Sequence, residues 1–285
     1  MIYKEKSVKA LLVLALKEDI ASGDITSNIL IGSKETTKAR IIAKEKGIVC
    51  GLDLIKEIFA LTDKKVKARI LLKDGDSVKP NCVIAELIGN RRSILKSERV
   101  ILNFLSHLSA IATKTKLFIK ETKGTKAKIT DTRKTAPGMR LLDKYAVRCV
   151  GAVNHRSSLD KMVFIKDNHL QGRGIEQVLR IALKNKPENM KVEIEVESLK
   201  DFKKALELKP NIILLDNMKP PAMKKCVLLR NKQAGTVLLE ASGNVNLDNV
   251  RRIAFTGVDF ISVGSLTHTV KSLDISLELT NSRKT

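Results

Sequence analysis

The chain has 285 residues, 43% of them hydrophobic and 29% charged, a soluble globular composition with room for one large domain or two modest ones. Fifty-three Lys and Arg against 31 Asp and Glu leave a formal net charge of +22, which directs attention to anionic partners such as nucleic acid, acidic lipid or phosphorylated small molecules. The longest uninterrupted apolar run covers residues 10–16, far short of the ~18 residues that span a bilayer, so no membrane role is expected.

In chain order, the opening residues carry no small-residue cleavage site, and their apolar stretch runs on into charged helical sequence at 7–18, so they do not read as a signal peptide. Residues 38–50 predict a strand, a turn at Gly47 and a second short strand; 52–61 predict a helix. Two apolar runs between 68 and 88 flank a turn at Asp74-Gly75-Asp76 and read as a hairpin. A long amphipathic helix follows over 93–120, with Leu95, Leu102, Leu105, Leu108 and Ile111 near helical spacing. Cys50, Cys82, Cys149 and Cys226 form no CxxC pair, which argues against zinc or a disulfide framework and favours buried free thiols in a reducing cytoplasm.

Past residue 125 short apolar runs recur, at 127–130, 162–165, 192–196, 212–215, 237–239 and 260–263, the last four beginning about 20 residues apart. That is the beat of βα units and predicts a parallel α/β barrel or an open doubly wound sheet. In such folds the chemistry sits at the carboxyl ends of the strands. The residues there are Thr132, Arg133 and Lys134, then Lys166, Glu195, Asp216, Ser242-Gly243-Asn244 and Val263-Gly264-Ser265, with His155-Arg156 just before the second run. Arg forks bind carboxylates or phosphates bidentately, and Gly-containing turns cradle phosphate with backbone N–H groups. Carboxylates accept from sugar hydroxyls and hold Mg2+ through water. A lone basic residue or a Gly-Ser turn is ordinarily surface; the recurrence of these clusters at successive strand ends is what points to a site. An inward Glu on a buried strand must be paired or functional. His107 and His268, in apolar helical contexts, read as structural.

At these clusters the sequence resembles the quinolinate phosphoribosyltransferase family over nearly its whole length. The residues that carry the resemblance are Glu18-Asp19, Gly23-Asp24-Ile25-Thr26 and Glu98-Arg99, then DTRKTAPGMRLLDKYAVR from Asp131, NHR from Asn154, IKDNH from Ile165, EIEVE from Glu193, Leu215-Asp216-Asn217, EASG from Glu240 and Ser262-Val263-Gly264. The stretch before NHR, Val150-Gly151-Ala152-Val153, is thinner in glycine than the family's. The resemblance implies an N-terminal α/β sandwich domain over 1–112, with the tail 267–285 packing on it, and an open seven-stranded α/β barrel over 113–266. It implies transfer of phosphoribose from phosphoribosyl pyrophosphate to quinolinate with loss of CO2, Mg2+ as cofactor, and a cytoplasmic homodimer, in some relatives a hexamer, in which Arg99 reaches the partner's site. Arg99, Arg133, His155, Arg156 and Lys166 would then take the quinolinate carboxylates, with Lys134 beside the pyrophosphate. Glu195 and Asp216 would take the ribose hydroxyls, directly or through Mg2+, and the 242–244 and 263–265 turns the 5′-phosphate. Lys134 and Lys166 are both candidates for protonating the ring carbon.

Other readings stay open at this level. Lys166 at a strand end also suits a Schiff-base aldolase. The net charge suits nucleic acid, although the basic residues are dispersed and stacking aromatics scarce, so no specific nucleic acid is expected. Residues 73–78 resemble a biotinyl-carrier turn but lack the lysine such carriers modify. Within the family, relatives linked to molybdate transport and barrel enzymes that use nicotinate are the neighbours; Arg133, His155 and Arg156 together favour quinolinate.

Overall fold

The structure is a computed structural model that describes residues 2–280. In chain order its elements are α1 (Lys6–Ile20), α2 (Ile25–Leu30), β1 (Thr36–Ala43), β2 (Gly47–Ile48), α3 (Leu54–Thr62), β3 (Lys67–Ile70), β4 (Ser77–Val78), β5 (Val83–Asn90) and α4 (Arg91–Glu121). There follow β6 (Lys128–Thr130), α5 (Arg140–Cys149), β7 (Val163–Ile165), α6 (Asp167–Leu170), α7 (Ile175–Asn185), β8 (Val192–Val196), α8 (Leu199–Glu207) and β9 (Ile212–Asp216). The last are α9 (Pro220–Gln233), β10 (Leu238–Ser242), α10 (Val250–Ala254), β11 (Phe260–Ser262), α11 (Ser265–His268) and β12 (Ile275–Thr280). The chain divides into two compact units, one of Met1–Lys114, Ala136–Val150 and Thr269–Thr285, the other of Thr115–Thr135 and Gly151–His268. The expectation put 136–150 in the barrel, and here that segment, with α5, belongs to the first unit. Of the tail expected there, 269–280 is described and belongs to it, while 281–285 lie outside the described residues.

The first unit holds a four-stranded antiparallel sheet of order β12-β1-β5-β3. Its core is filled by Ile41, Ile84 and Leu87 of the sheet with Ile55 and Ile58 of α3 and Ile94, Ile101 and Leu105 of α4. The expected 68–88 hairpin forms, with Ala68 opposite Leu87 and Ile70 opposite Ala85, but its connection is long and is not a simple turn. β3 pairs with β5, while β4, after the Asp74 turn, pairs with β2. The Asp74 carboxylate accepts the N–H groups of Gly51 and Leu52 at 2.9 and 3.0 Å and the hydroxyls of Tyr3 and Tyr145, both at 2.6 Å, which ties the turn to distant chain instead of to its flanking runs. Burial and the neighbouring carboxylate push both tyrosine hydroxyls up, so both stay donors. Of the free cysteines, Cys50 and Cys226 are buried and Cys82 and Cys149 only half-buried.

The second unit is a six-stranded parallel sheet of order β6-β11-β10-β9-β8-β7, with α7, α8, α9 and α10 packed side by side in chain order. The expected seventh strand is reduced to a single parallel bridge, Thr130 to Val153. One residue on, Asp131 draws the chain off the ladder by accepting the His155 N–H at 2.8 Å and the Asn154 side-chain amide at 2.7 Å. One face of the sheet is hydrocarbon: Ile194, Ile213, Leu215, Leu239, Ala241 and Ile261 are all fully buried. The alternate positions point the other way. Local caps start the connecting helices, as where Ser198 Oγ accepts the Asp201 N–H at 3.1 Å and Pro220 opens α9.

Removing the four-fold acceptor at Asp74 strands two backbone donors and two buried hydroxyls. The Asp74→Ala variant is therefore expected to lose about 3 kcal/mol or more of unfolding free energy, read from urea denaturation.

Candidate active site

Because the sheet is parallel, the carboxyl ends of its strands lie along one edge, and there the second unit encloses a cavity of about 850 Å3. Strand parity selects its walls. Phe164 and Lys166 from β7 and the residue after it, Glu195 from β8, Leu214 and Asp216 from β9, Glu240 and Ser242 from β10, and Ser262 from β11 are all on one side of the pleat and all line it. The loops add Thr132, Arg133, Lys134, His155, Arg156, Gly243, Asn244, Gly264 and Ser265. Thirteen of the fifteen expected site residues thus meet in one cavity.

Two do not line it. Arg99 lies on α4 in the first unit, 64% exposed at its side chain and 3.7 Å from Glu98. Val263 has a buried side chain, and its N–H is donated to the Thr130 carbonyl at 2.9 Å, so it has nothing to offer a phosphate; the turn's cavity face is Gly264 and Ser265. His268, read as structural from its helical context, lines the cavity as well. The single turn of α11 folds it back over Gly264, where an added Cβ would sit 3.1 Å from its Nε2. His107, the other histidine read as structural, has Nε2 2.7 Å from the buried Asp143.

The cavity has a cationic side. Arg133 and Arg156 each keep a buried Nε with no hydrogen-bond partner, and burial together with the Arg133 charge pulls the pKa of Arg156 below the ordinary guanidinium value. Two guanidiniums facing one space with unfilled donors describe a seat for an anion with more than one carboxylate. Arg156 is held from behind by donating Nη1 to the Met162 carbonyl at 2.9 Å.

His155 departs from expectation. Its Nδ1 accepts the Arg156 N–H at 2.8 Å, which leaves the ring proton on Nε2, 2.9 Å from Glu193 Oε2. Both nitrogens are turned to protein, so His155 shapes the cavity through its ring and through Arg156. Behind it Glu193 and Glu240 are fully buried, and burial pushes both carboxyls up to about 8.

Opposite lie the exposed-side carboxylates. Lys166 Nζ is 3.2 Å from Glu195 Oε2; burial raises Glu195, and Lys166 opposes that shift. Oxygens of Glu195, Glu197 and Asp216 lie within 4.8 Å of one another. Among the lining residues not foreseen as site members, besides Leu214, Val245, Asn246, Ser262 and His268, are Phe164, Glu240 and Asn217. Phe164 and Glu240 could have been found by counting back two from Lys166 and Ser242. Asn217, in the left-handed region at φ 52°, donates Nδ2 to Asp216 Oδ2 at 2.7 Å and accepts the Asn244 amide at 3.0 Å. Gly243 is required beside it: φ is +91°, and a Cβ would come within 2.2 Å of Asn217 Oδ1.

The buried acids set a pH dependence. A carboxyl raised above its unfolded value of 4.5 stabilises the fold below that value, and the contribution is lost as pH climbs through about 8. Glu240→Gln removes one such group, so its thermal midpoint is expected to fall less than the parent's between pH 4.5 and 9 in a series of melting curves.

Comparison with known proteins agrees with the geometry. Residues 24–109 match the family model for the N-terminal domain of quinolinate phosphoribosyl transferase and 111–278 that for its C-terminal domain. The chain is 39% identical to a probable nicotinate-nucleotide pyrophosphorylase [carboxylating] of Bacillus subtilis, over 97% of this chain and 95% of that protein. Among solved structures, the nicotinate-nucleotide pyrophosphorylase of Francisella tularensis superposes with a TM-score of 0.90 at 41% identity, covering 98% of this chain and 99% of the other. That of Ehrlichia chaffeensis gives 0.89 at 39%, covering 95% and 98%. On sequence and on fold alike, the chain belongs to the quinolinate phosphoribosyltransferase family.

Proposed function

We infer that this chain transfers phosphoribose from phosphoribosyl pyrophosphate to the ring nitrogen of quinolinate, releasing pyrophosphate and CO2 and leaving nicotinate mononucleotide. The observation that carries this is the pair of arginines, Arg133 and Arg156, which both line the one cavity and whose Nε groups, buried beside it, find no partner in the protein. A substrate with two adjacent carboxylates supplies acceptors to both.

Lys134 and Lys166 add positive charge on either side of that pair. Glu195 and Asp216 suit the ribose: they accept from its hydroxyls and stabilise the positive charge that builds on the anomeric carbon as the bond to pyrophosphate breaks. The Ser242-Gly243-Asn244 and Gly264-Ser265 turns suit the 5′-phosphate. The pyridine nitrogen attacks, the new pyridinium draws in the electrons of the bond to the 2-carboxylate, CO2 departs, and the ring carbon takes a proton. Both Lys134 and Lys166 line the cavity and either could supply it. Carboxylate oxygens are the donors Mg2+ prefers, and the Glu195, Glu197 and Asp216 cluster fits that ion, directly or through water. When bound with pyrophosphate, Mg2+ supplies neutralisation of the departing charge.

The test is a single assay with phosphoribosyl pyrophosphate, Mg2+ and either quinolinate or nicotinate, following mononucleotide and CO2 together. Turnover with quinolinate alone, CO2 matching product, is expected, and Arg133→Ala and Lys166→Ala should each lower kcat/KM by at least about a hundredfold while the melting curve is kept. Full activity in either variant would remove that residue from the site.

A homodimer is part of the reading. On α2, Ile25, Ile29 and Leu30 are 71%, 74% and 75% exposed, a hydrocarbon face that favours self-association. Arg99, also exposed in the first unit, would serve the partner's site. If so, mixing inactive Arg99→Ala with inactive Lys166→Ala protein should restore about a quarter of the parent activity once subunits exchange, because random pairing leaves half the dimers mixed and each mixed dimer one intact site. No recovery in a proven mixed dimer would leave Arg99 acting within its own chain.

A further inference from the structure

Phe164 is the least expected wall of the cavity. It stands two residues before Lys166, on the same side of the pleat, half-buried among charged groups. The Arg156 guanidinium carbon is 5.1 Å from its ring centroid and Lys166 Nζ is 4.9 Å away. The His155 ring lies 5.4 Å off, tilted by 40°. Three residues of the cationic wall therefore converge on one aromatic side chain.

We propose that Phe164 is a positioning residue for the aromatic dicarboxylate: its ring holds the Arg156 and Lys166 side chains in place without neutralising them. The physical reason lies in how a cation can be immobilised. A carboxylate would fix Arg156 firmly but would also consume the donors that the substrate must use, and the substrate would have to displace it. A ring face attracts a cation through its quadrupole, weakly when exposed and more strongly when desolvated, and accepts no hydrogen bond in the plane of the guanidinium. The Arg156 Nε stays unpartnered while the side chain is still located, from the ring on one hand and the Met162 carbonyl on the other. Lys166 is bounded by the ring on one hand and on the other by Glu195, a carboxylate that does engage it, so the open donor in this pair is that of Arg156. An aliphatic side chain of similar volume would fill the space and leave each cation with its second contact alone.

This rests on quinolinate being the acid substrate, and the experiment separates the two ideas. Binding of quinolinate is measured by calorimetry, and KM for each substrate by the coupled assay, in the parent, Phe164→Leu and Phe164→Tyr, with melting curves for all three. Loss of two cation–ring contacts should weaken quinolinate binding by about tenfold in Phe164→Leu, with KM for phosphoribosyl pyrophosphate and the melting midpoint close to the parent's. Phe164→Tyr, which keeps the ring face, should bind quinolinate within about threefold of the parent. Quinolinate affinity unchanged in the Leu variant overturns the proposal, as does an equal loss in both variants or a loss in step with KM for phosphoribosyl pyrophosphate. A parent protein that binds no quinolinate overturns the substrate assignment itself and this proposal with it.

Discussion

A parallel sheet covered on both faces has no side turned to bulk water, so every second side chain along its strands must point into the space the strands enclose. In most such sheets that space is filled with hydrocarbon. Here the inward positions of β8 and β10 include Glu193, Glu195 and Glu240, and the strand ends add Asp216 and Lys166. Each must be partnered by protein, by protons or by ligand. Glu193 and Glu240 answer with protons and with His155, which itself lines the cavity; Glu195 answers with Lys166; Arg133 and Arg156 are left with unused donors. The chemistry of the site is the remainder of that accounting.

Much of this was visible in the sequence because period-two alternation and strand-end clustering survive translation into space. The runs at 192–196 and 212–215 coincide with β8 and with β9 to within a residue, and the polar residues after them do converge. What could not be read depends on side-chain direction or on distant partners. His155 was placed correctly, but its ring is rotated by two hydrogen bonds, to Arg156 and Glu193, that no spacing rule foretells. Val263 belonged to a promising turn, yet its N–H is spent on β6. The 68–88 segment does form a hairpin, β3 with β5, but its long connection is held by the carboxylate of Asp74 to chain on either side in sequence, which no pattern foretells. The seventh strand failed for a similar reason, since one buried acid, Asp131, takes the backbone that a longer ladder would have needed.

The excess of positive charge is a property of the whole chain, and the cavity shares it, with four cations to two ionised carboxylates. Among its lining residues, Arg133, Lys134, Arg156 and Lys166 face Glu195, Asp216 and the buried Glu240, the last holding a proton at neutral pH. Selectivity for a polyanionic ligand comes from which donors are unfilled, with the net charge of +22 acting at longer range to raise the encounter rate with anions. Salt should weaken the second effect well before the first.

The first unit is assembled from both ends of the chain, and this imposes an order on biosynthesis. Its edge strand β12, at 275–280, pairs along the length of β1, at 36–43, and α5 reaches Asp74 only through Tyr145. A ribosome delivers all of the second unit, residues 115–135 and 151–268, before β12 exists. Throughout that interval β1 keeps an open hydrogen-bonding edge, the kind of surface that recruits other strands. The nascent protein must therefore carry an unfinished N-terminal sheet until residues 275–280 have been made.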